Sequence, residues 1–289
     1  MNSRVLSLVA TLIVAARAFA QDPPSEWVIV DCGPDCTAAV PVFVDTLDLV
    51  DTSDFEMPVP IESAPQIPFK SSMFTFVRVV YSNRPGDGPL ATSLRWATDY
   101  PDADRVFSEQ VENLTGLTTN YPDGLQLRLT DPSLLQYPFI YIVEGSWMQL
   151  SDEEVSALRN YLLGGGFLMV DDVHGEDEWE SLVAELRRVF PDREPVQLLP
   201  GEHDIFSTFY EISEKPQIPA MRYVLLGRAP EASFWGLMDD SGRLMAILCH
   251  NTDFGDAWEH LDDDRYPEEL ALGQAIPMGV NIVVYALTH

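Results

Sequence analysis

Two uninterrupted apolar runs, FIYIV at 139–143 and FLMV at 167–170, bracket a single amphipathic helix and a triple glycine. A strand whose residues are all apolar, with no alternation, is one covered on both faces. Between the runs, Ser151 and Glu154 make the S-x-x-E capping box, and Val155, Leu158 and Leu162 recur at helical spacing. Gly164, Gly165 and Gly166 then end the helix. A strand, a helix and a second buried strand at this spacing predict a parallel pair with a right-handed crossover. Residues 139–170 therefore commit the chain to an α/β sheet.

The flanking sequence extends the same pattern. MFTFVRVVYS reads as a strand, followed by the turn NRPGDGP and a polar helical region from Ala91 to Leu114, interrupted by Pro101. LQLRL (125–129) reads as a short strand and TDPSLLQYP as a turn. A second amphipathic helix is expected from Glu176 to Phe190, with Trp179, Leu182, Val183 and Leu186 on one face, Arg187 and Arg188 at its basic end and Pro191 as its stop. Residues 191–220 read as loop apart from a helical turn in DIFSTFYEI, and SFWGLMDDSGRLMAIL reads as a hairpin. The C-terminal stretch from Glu268 is expected to be a helix kinked at Pro277. Residues 69–289 are thus expected to form a doubly wound, mostly parallel sheet flanked by helices.

Residues 21–68 hold eight of the 22 prolines and many acids, and read as a proline-rich acidic appendage or linker. Within them AAVPVFVDTL suits one edge strand, because Pro41 is tolerated only where no ladder hydrogen bond is needed. Before them, Arg4, the apolar run Val5 to Ala16 and Ala18-Phe19-Ala20 make the three-part pattern of a secretory signal over residues 1–20. A secreted or periplasmic location follows as an expectation. Twelve apolar residues are too few to span a bilayer, and no later segment is expected to reach the roughly 18 that a membrane helix needs, so no stable membrane insertion is expected after cleavage.

Seventeen basic and 46 acidic residues give a net charge of −29, which becomes −31 when residues 1–20 and their two arginines are removed. Such a surface repels phosphate backbones, so no nucleic-acid partner is expected unless cations intervene, while an envelope protein, a small ligand or a divalent cation stays open. In an oxidising compartment Cys32 and Cys36 of DCGPDC are candidates for a disulfide. Their C-x3-C spacing is not the redox C-x-x-C, and disulfide, redox or metal roles, and free thiols stay open. Cys249, ending LMAILC, reads as a buried strand thiol.

In open parallel sheets, ligands bind beyond the carboxyl ends of the strands. Glu144, Gly145, Ser146 and Trp147 follow the first apolar run, Asp171, Asp172 and His174 follow the second, and CHNTDFGDAWEH (249–260) begins at the end of LMAIL. Ser146 lacks the second glycine and the local histidine of a nucleophile elbow. Asp171, Asp172, His174, His250, Asp253, Asp256, Glu259 and His260 are all divalent-metal donors by type, the last three of the series sharing a face if a helix starts there. Neither H-E-x-x-H nor an EF-hand pattern organises them. His203 in GEHD is a further candidate for the same rim.

The segments FTFVRVVYS, LTDPSLLQYPFIYIVEG, LSDEEVSALRNYLLGGGFLMVDD, RRVFPDREPVQLLPGEHDIFSTFYEI and GVNIVVYALTH, in that order, resemble the bacterial family known as domain of unknown function 4159. That resemblance implies a fold like the class I glutamine amidotransferases, a flavodoxin-like sheet, and implies no activity. It singles out Asp171, Asp172, His203, Asn251, Asp253 and Trp258 as family features without roles. The turn Glu144-Gly145-Ser146-Trp147 departs from the small histidine-containing turn of relatives, and the amidotransferase nucleophile is missing. Two functions stand at this point. One is a non-catalytic ligand-binding or assembly module of the cell envelope, with Glu144, Ser146, Asp171, Asp172, His203, Asn251 and Trp258 as binding candidates. The other is a divalent-metal-dependent hydrolase using Asp172, His174, His250 and Asp253, excluded if the Asp172 and Asp253 carboxylates stand more than about 10 Å apart.

Overall fold

A computed structural model describes residues 26–31, 37–42, 73–84, 94–122 and 124–289, and divides the chain into two units, Met1–Glu62 and Ser63–His289. In the first unit β1 (Glu26–Asp31) and β2 (Thr37–Val42) pair antiparallel, with Glu26 opposite Val42 and Asp31 opposite Thr37. The strand expected in AAVPVFVDTL therefore forms, in a two-stranded sheet of its own where every strand is an edge and Pro41 is tolerated. The expected signal segment, the Cys32 and Cys36 pair and the rest of 21–68 lie outside the described residues.

The second unit carries the strands β3 (Met73–Phe74), β4 (Val77–Val79), β5 (Thr118–Thr119), β6 (Leu125–Leu127), β7 (Phe139–Val143), β8 (Phe167–Val173), β9 (Val196–Leu198), β10 (Ser233–Met238) and β11 (Leu244–His250). Its helices are α1 (Asp102–Thr115), α2 (Asp152–Leu163), α3 (Gly175–Val189), α4 (Met221–Leu225), α5 (Phe254–Glu259) and α6 (Glu268–Thr288). Seven strands form one mixed sheet in the order β6-β4-β7-β8-β11-β10-β9; β6 to β11 run parallel, and β10 then β9 add on antiparallel. β3 and β5 make a separate short parallel pair.

The predicted βαβ unit is present, with Phe139 opposite Phe167 and Val143 opposite Asp171. Both halves of the capping box close: Glu154 N–H donates to Ser151 Oγ at 3.2 Å and Ser151 N–H to Glu154 Oε2 at 2.8 Å. Alternate side chains of β7 enter opposite cores, Phe139, Tyr141 and Val143 with residues of α1, α5 and α6, Ile140 and Ile142 with residues of α2 and α3. The sheet is thus covered on both faces, which is why its strands carry no polar alternation.

Several expectations are corrected. β8 runs on to Val173, so Asp171 and Asp172 belong to the strand end and not to a loop behind it. The region 191–220 contains β9, whose three residues earn their place by pairing with Phe234–Gly236. The turn expected in TDPSLLQYP is present, as a 3₁₀ turn over Pro132–Gln136 capped by Asp131 Oδ1 on Ser133 N–H at 2.8 Å. In α6 a π-helical stretch, Ala271–Ala275, directly precedes Ile276 and Pro277, so the missing proline N–H falls where the ladder has already widened. By length and a mean hydropathy of 1.6, α6 is apolar enough to cross a membrane, contrary to expectation, but Met278, Val280, Ile282 and Val283 are buried in the core of this fold.

Candidate functional site

Among the described residues four non-glycine residues have left-handed φ: Asp99 at 61°, Glu144 at 45°, Asp172 at 55° and Asn251 at 59°. Such backbone is uncommon outside glycine, and it persists only where surrounding contacts impose it. All four lie where the chain leaves the carboxyl ends of parallel strands: Asp99 in the connection from β4, Glu144 after β7, Asp172 at the end of β8 and Asn251 after β11. They outline one rim.

At its β7 side, Glu144 accepts from Arg95 Nη1 at 2.9 and 2.7 Å, and Tyr81 OH holds the backbone carbonyls of Val143 and Glu144 at 2.8 and 3.0 Å. Burial, then the Asp172 charge, push the Glu144 carboxyl up to about 7 against the pull of Arg95. Arg95 and Arg84 both lie over the Trp147 ring, at 4.5 and 5.9 Å, and Arg84 also donates to the Ser146 carbonyl. The Ser146 hydroxyl is buried with no hydrogen-bond partner. A side chain on Gly145 would meet Val170 Cγ1 at 2.5 Å, so this turn is packed directly onto β8.

The β8 end separates two adjacent acids. Asp171 is fully buried and accepts from Thr252 Oγ1 at 2.9 Å, Phe254 N at 2.6 Å, Gly255 N at 3.3 Å and Tyr141 OH at 3.2 Å. Those donors clamp the start of α5 to the sheet and occupy the carboxylate, so Asp171 is a brace and not the open ligand position expected of it. Burial, then Asp172, raise its pKa to about 6. Asp172 instead faces the rim. Its carboxyl is pushed up to about 7 by burial and then by Asp256, with the Arg222 and Arg95 charges opposing.

His174 comes within 2.8 Å of Asp172 through Nε2 but out of line for a hydrogen bond, and both its ring nitrogens lack a hydrogen-bond partner. Burial, then Arg222, push it down to about 4, so the ring is neutral at neutral pH. Tyr223 packs edge-on against it at 5.3 Å, and its backbone N–H donates to Glu178 Oε2 at 2.7 Å. Asp253, also buried, caps α5 by accepting from Asp256 N at 2.8 Å, and burial followed by Asp172 raises its pKa well above the usual range. One ligand atom each from Asp172, His174 and Asp253 lies within 4.8 Å of the others, so the distance that would have excluded a shared site is not reached.

His250 does not join them. As the last residue of β11 it shares the face of Leu248, packs tilted against the Trp179 ring at 5.0 Å and reaches Ser233 Oγ at 3.3 Å and the Gly175 carbonyl at 3.1 Å. Asn251 is a latch, its side chain accepting from Gly175 N at 2.9 Å and donating to the Glu231 carbonyl at 3.1 Å. Trp258 is core, stacked on Phe107 at 4.0 Å, because the inner face of α5 packs on α1. His203 lies at the opposite end of the sheet, in a cleft of about 540 Å³ with Ser241, Gly242 and Arg243 of the turn that starts β11. The chain after β9 turns back over the sheet and carries it there, where its Nδ1 accepts from Ile205 N at 3.1 Å. Asp256, Glu259 and His260 do share a helical face, with His260 already on Glu259 at 3.0 Å and its pKa raised by that contact.

Sequence reasoning missed Arg95, Asp99 and Arg222 as parts of the rim. Asp99 packs over the start of α5, where a Cβ on Gly255 would overlap its Oδ2, and burial followed by Asp256 and Glu259 raises its pKa well above normal. No local pattern marks Asp99; a glycine at the second residue of α5 is its only trace in the sequence.

The fold and rim define an α/β protein whose mixed, mostly parallel sheet carries a group of buried acids at the carboxyl ends of its parallel strands. Residues 75–287, most of the chain, match the family described as a domain of unknown function, DUF4159, and the chain belongs to that family. No curated protein matches the chain.

Proposed function

We propose that this chain is an exported ligand-binding or assembly module of the cell envelope, its ligand seated at the carboxyl rim between β4, β7, β8 and β11. The observation that carries the reading is the concentration on that rim of all four left-handed non-glycine residues among those described. Backbone strain gathered in one place is a mark of a functional site. In the parallel strands numbered by sequence, the order β6-β4-β7-β8-β11 is 2-1-3-4-5, the flavodoxin-like order, whose switch point lies between β4 and β7. That order, with helices on both faces, supports a doubly wound, amidotransferase-like architecture. Ser146 Oγ has no base within hydrogen-bond reach, and burial pushes the Cys249 thiol well up, so neither is an activated nucleophile and a binding role is favoured over covalent catalysis.

The test is a thermal-shift screen of the full-length chain against amino acids, short peptides, sugars and nucleotides. At least one class raises Tm by several degrees, and Arg222→Ala, which removes the exposed guanidinium whose charge acts on Asp172, abolishes that shift while leaving the unliganded melt in place. A panel without any shift, or a shift that Arg222→Ala leaves intact, counts against the rim. Export is supported by the three-part, signal-like pattern of residues 1–20. Cell fractionation of the tagged chain with and without those residues checks it: both forms appearing in the cytoplasm alone would remove the envelope from the reading.

A further inference from the structure

The rim leaves its ligand unnamed, and one trio of side chains gives it a chemistry. Asp172, His174 and Asp253 are buried, and one ligand atom from each lies within 4.8 Å of the other two. Acids that meet at a strand end are common and by themselves indicate nothing. The histidine is the distinguishing group: its side chain is only 4% exposed, and neither ring nitrogen has a hydrogen-bond partner. A neutral imidazole carries one N–H and one lone pair, and native interiors rarely enclose both unmatched.

We propose that Asp172, His174 and Asp253 hold one divalent cation of the Zn2+ type, an inference that rests on the reading of the rim as a ligand seat. One imidazole and two carboxylates are a mixed donor set, suited to Zn2+ and poorly suited to an all-oxygen cation such as Mg2+. Three protein ligands leave a coordination position open toward the rim for an oxygen of the ligand. Bonds of about 2.1 Å at tetrahedral angles set donors about 3.4 Å apart. The present spacing closes to that by small side-chain rotations, with the 2.8 Å approach of Asp172 to His174 relaxing outward.

Each donor stands on a fixed support. Asp172 is held at the end of β8 in left-handed backbone, the His174 N–H is bound by Glu178 Oε2 at 2.7 Å, and Asp253 is the cap of α5. The neighbouring trio Asp256, Glu259 and His260 supplies the contrast. It is half-buried, and its imidazole, unlike that of His174, already has a protein partner, Glu259 at 3.0 Å from His260 Nε2.

The full-length chain, stripped with chelator, is titrated with Zn2+ in a calorimeter and its bound metal counted by elemental analysis. One Zn2+ per chain is expected, with Asp172→Asn and His174→Ala each weakening it by about 100-fold or more, since loss of an outer-shell partner alone costs about 10–100-fold, and His260→Ala leaving it intact. X-ray absorption of the Zn2+-loaded natural chain needs no variant and is expected to show a single imidazole among oxygen donors and no sulfur. No stoichiometric Zn2+, binding that survives both Asp172→Asn and His174→Ala, binding lost in His260→Ala, or a sulfur-containing shell each overturn the proposal. If Zn2+ fails while an organic ligand still gives a shift lost in Arg222→Ala, the cation falls and the rim reading stands; if both fail, the rim reading falls with it.

Discussion

Arg78 sits in the middle of β4, fully buried, in a run that is otherwise apolar. Its Nε reaches both Asp104 oxygens at 3.0 and 3.1 Å, Nη2 reaches Oδ1 at 2.5 Å, and Nη1 donates to the carbonyls of Trp96 at 3.1 Å and Thr98 at 2.7 Å. Tyr141 lies 5.0 Å below the guanidinium. Those two carbonyls belong to the segment that brings Arg95 and Asp99 to the rim, so a core ion pair fixes one wall of the site. Arg78→Met removes one partner and leaves the Asp104 carboxylate buried without its cation. A loss of about 3–5 kcal/mol is expected in urea denaturation, and a loss below about 1 kcal/mol would mean that Asp104 finds another partner. The need for a partner is visible in FTFVRVVYS, where one arginine interrupts a buried strand. Its identity is not, because Asp104 lies 26 residues away among several acids that look alike in sequence.

Elements held by local rules were legible, and elements held by neighbours were not. The βαβ unit, the capping box on α2, the β10–β11 hairpin and the amphipathic α3 follow from periodicity and from caps within a few residues of each other. β9 does not, since Val196 and Gln197 are exposed and the strand exists only through its pairing with β10. The same division runs through the site. Acids and histidines behind β7, β8 and β11 could be assigned to one rim because strand direction fixes the end at which a chain emerges. Which of them converge could not be read, because that depends on the parity of the last strand residue and on side chains from other elements. Parity turns His250 toward α3, the four donors on Asp171 convert it to a brace, and the return of the chain after β9 takes His203 to the far end of the sheet. Asp253 joins Asp172 and His174 because the clamp at Asp171 sets where α5 begins.

At the scale of the whole molecule, the buried acids of the rim make stability depend on pH in a definite direction. Glu144 is raised to about 7, Asp171 to about 6 and Asp172 to about 7, each chiefly by burial, and Asp99 and Asp253 move the same way. An acid whose folded pKa lies above its unfolded one keeps its proton longer in the fold, so stability falls as pH rises from the unfolded value through the folded value. His174, lowered to about 4, acts in the opposite sense between pH 4 and 6.5, but it is one group against several. The net charge of −29 adds repulsion that also grows with pH. In chelator, the natural chain is therefore expected to melt at lower temperature at pH 8 than at pH 5.5. Glu144→Gln, which cannot ionise beside Asp172, is expected to reduce that difference. Zn2+ is expected to add more stabilisation at pH 8 than at pH 5.5, since a cation competes with protons for carboxylates and gains on them as pH rises. Scanning calorimetry at the two pH values, with chelator and with Zn2+, reads all of these at once. A chelated chain that melts higher at pH 8 would show that the rim carboxylates are ionised and stabilised by the fold itself.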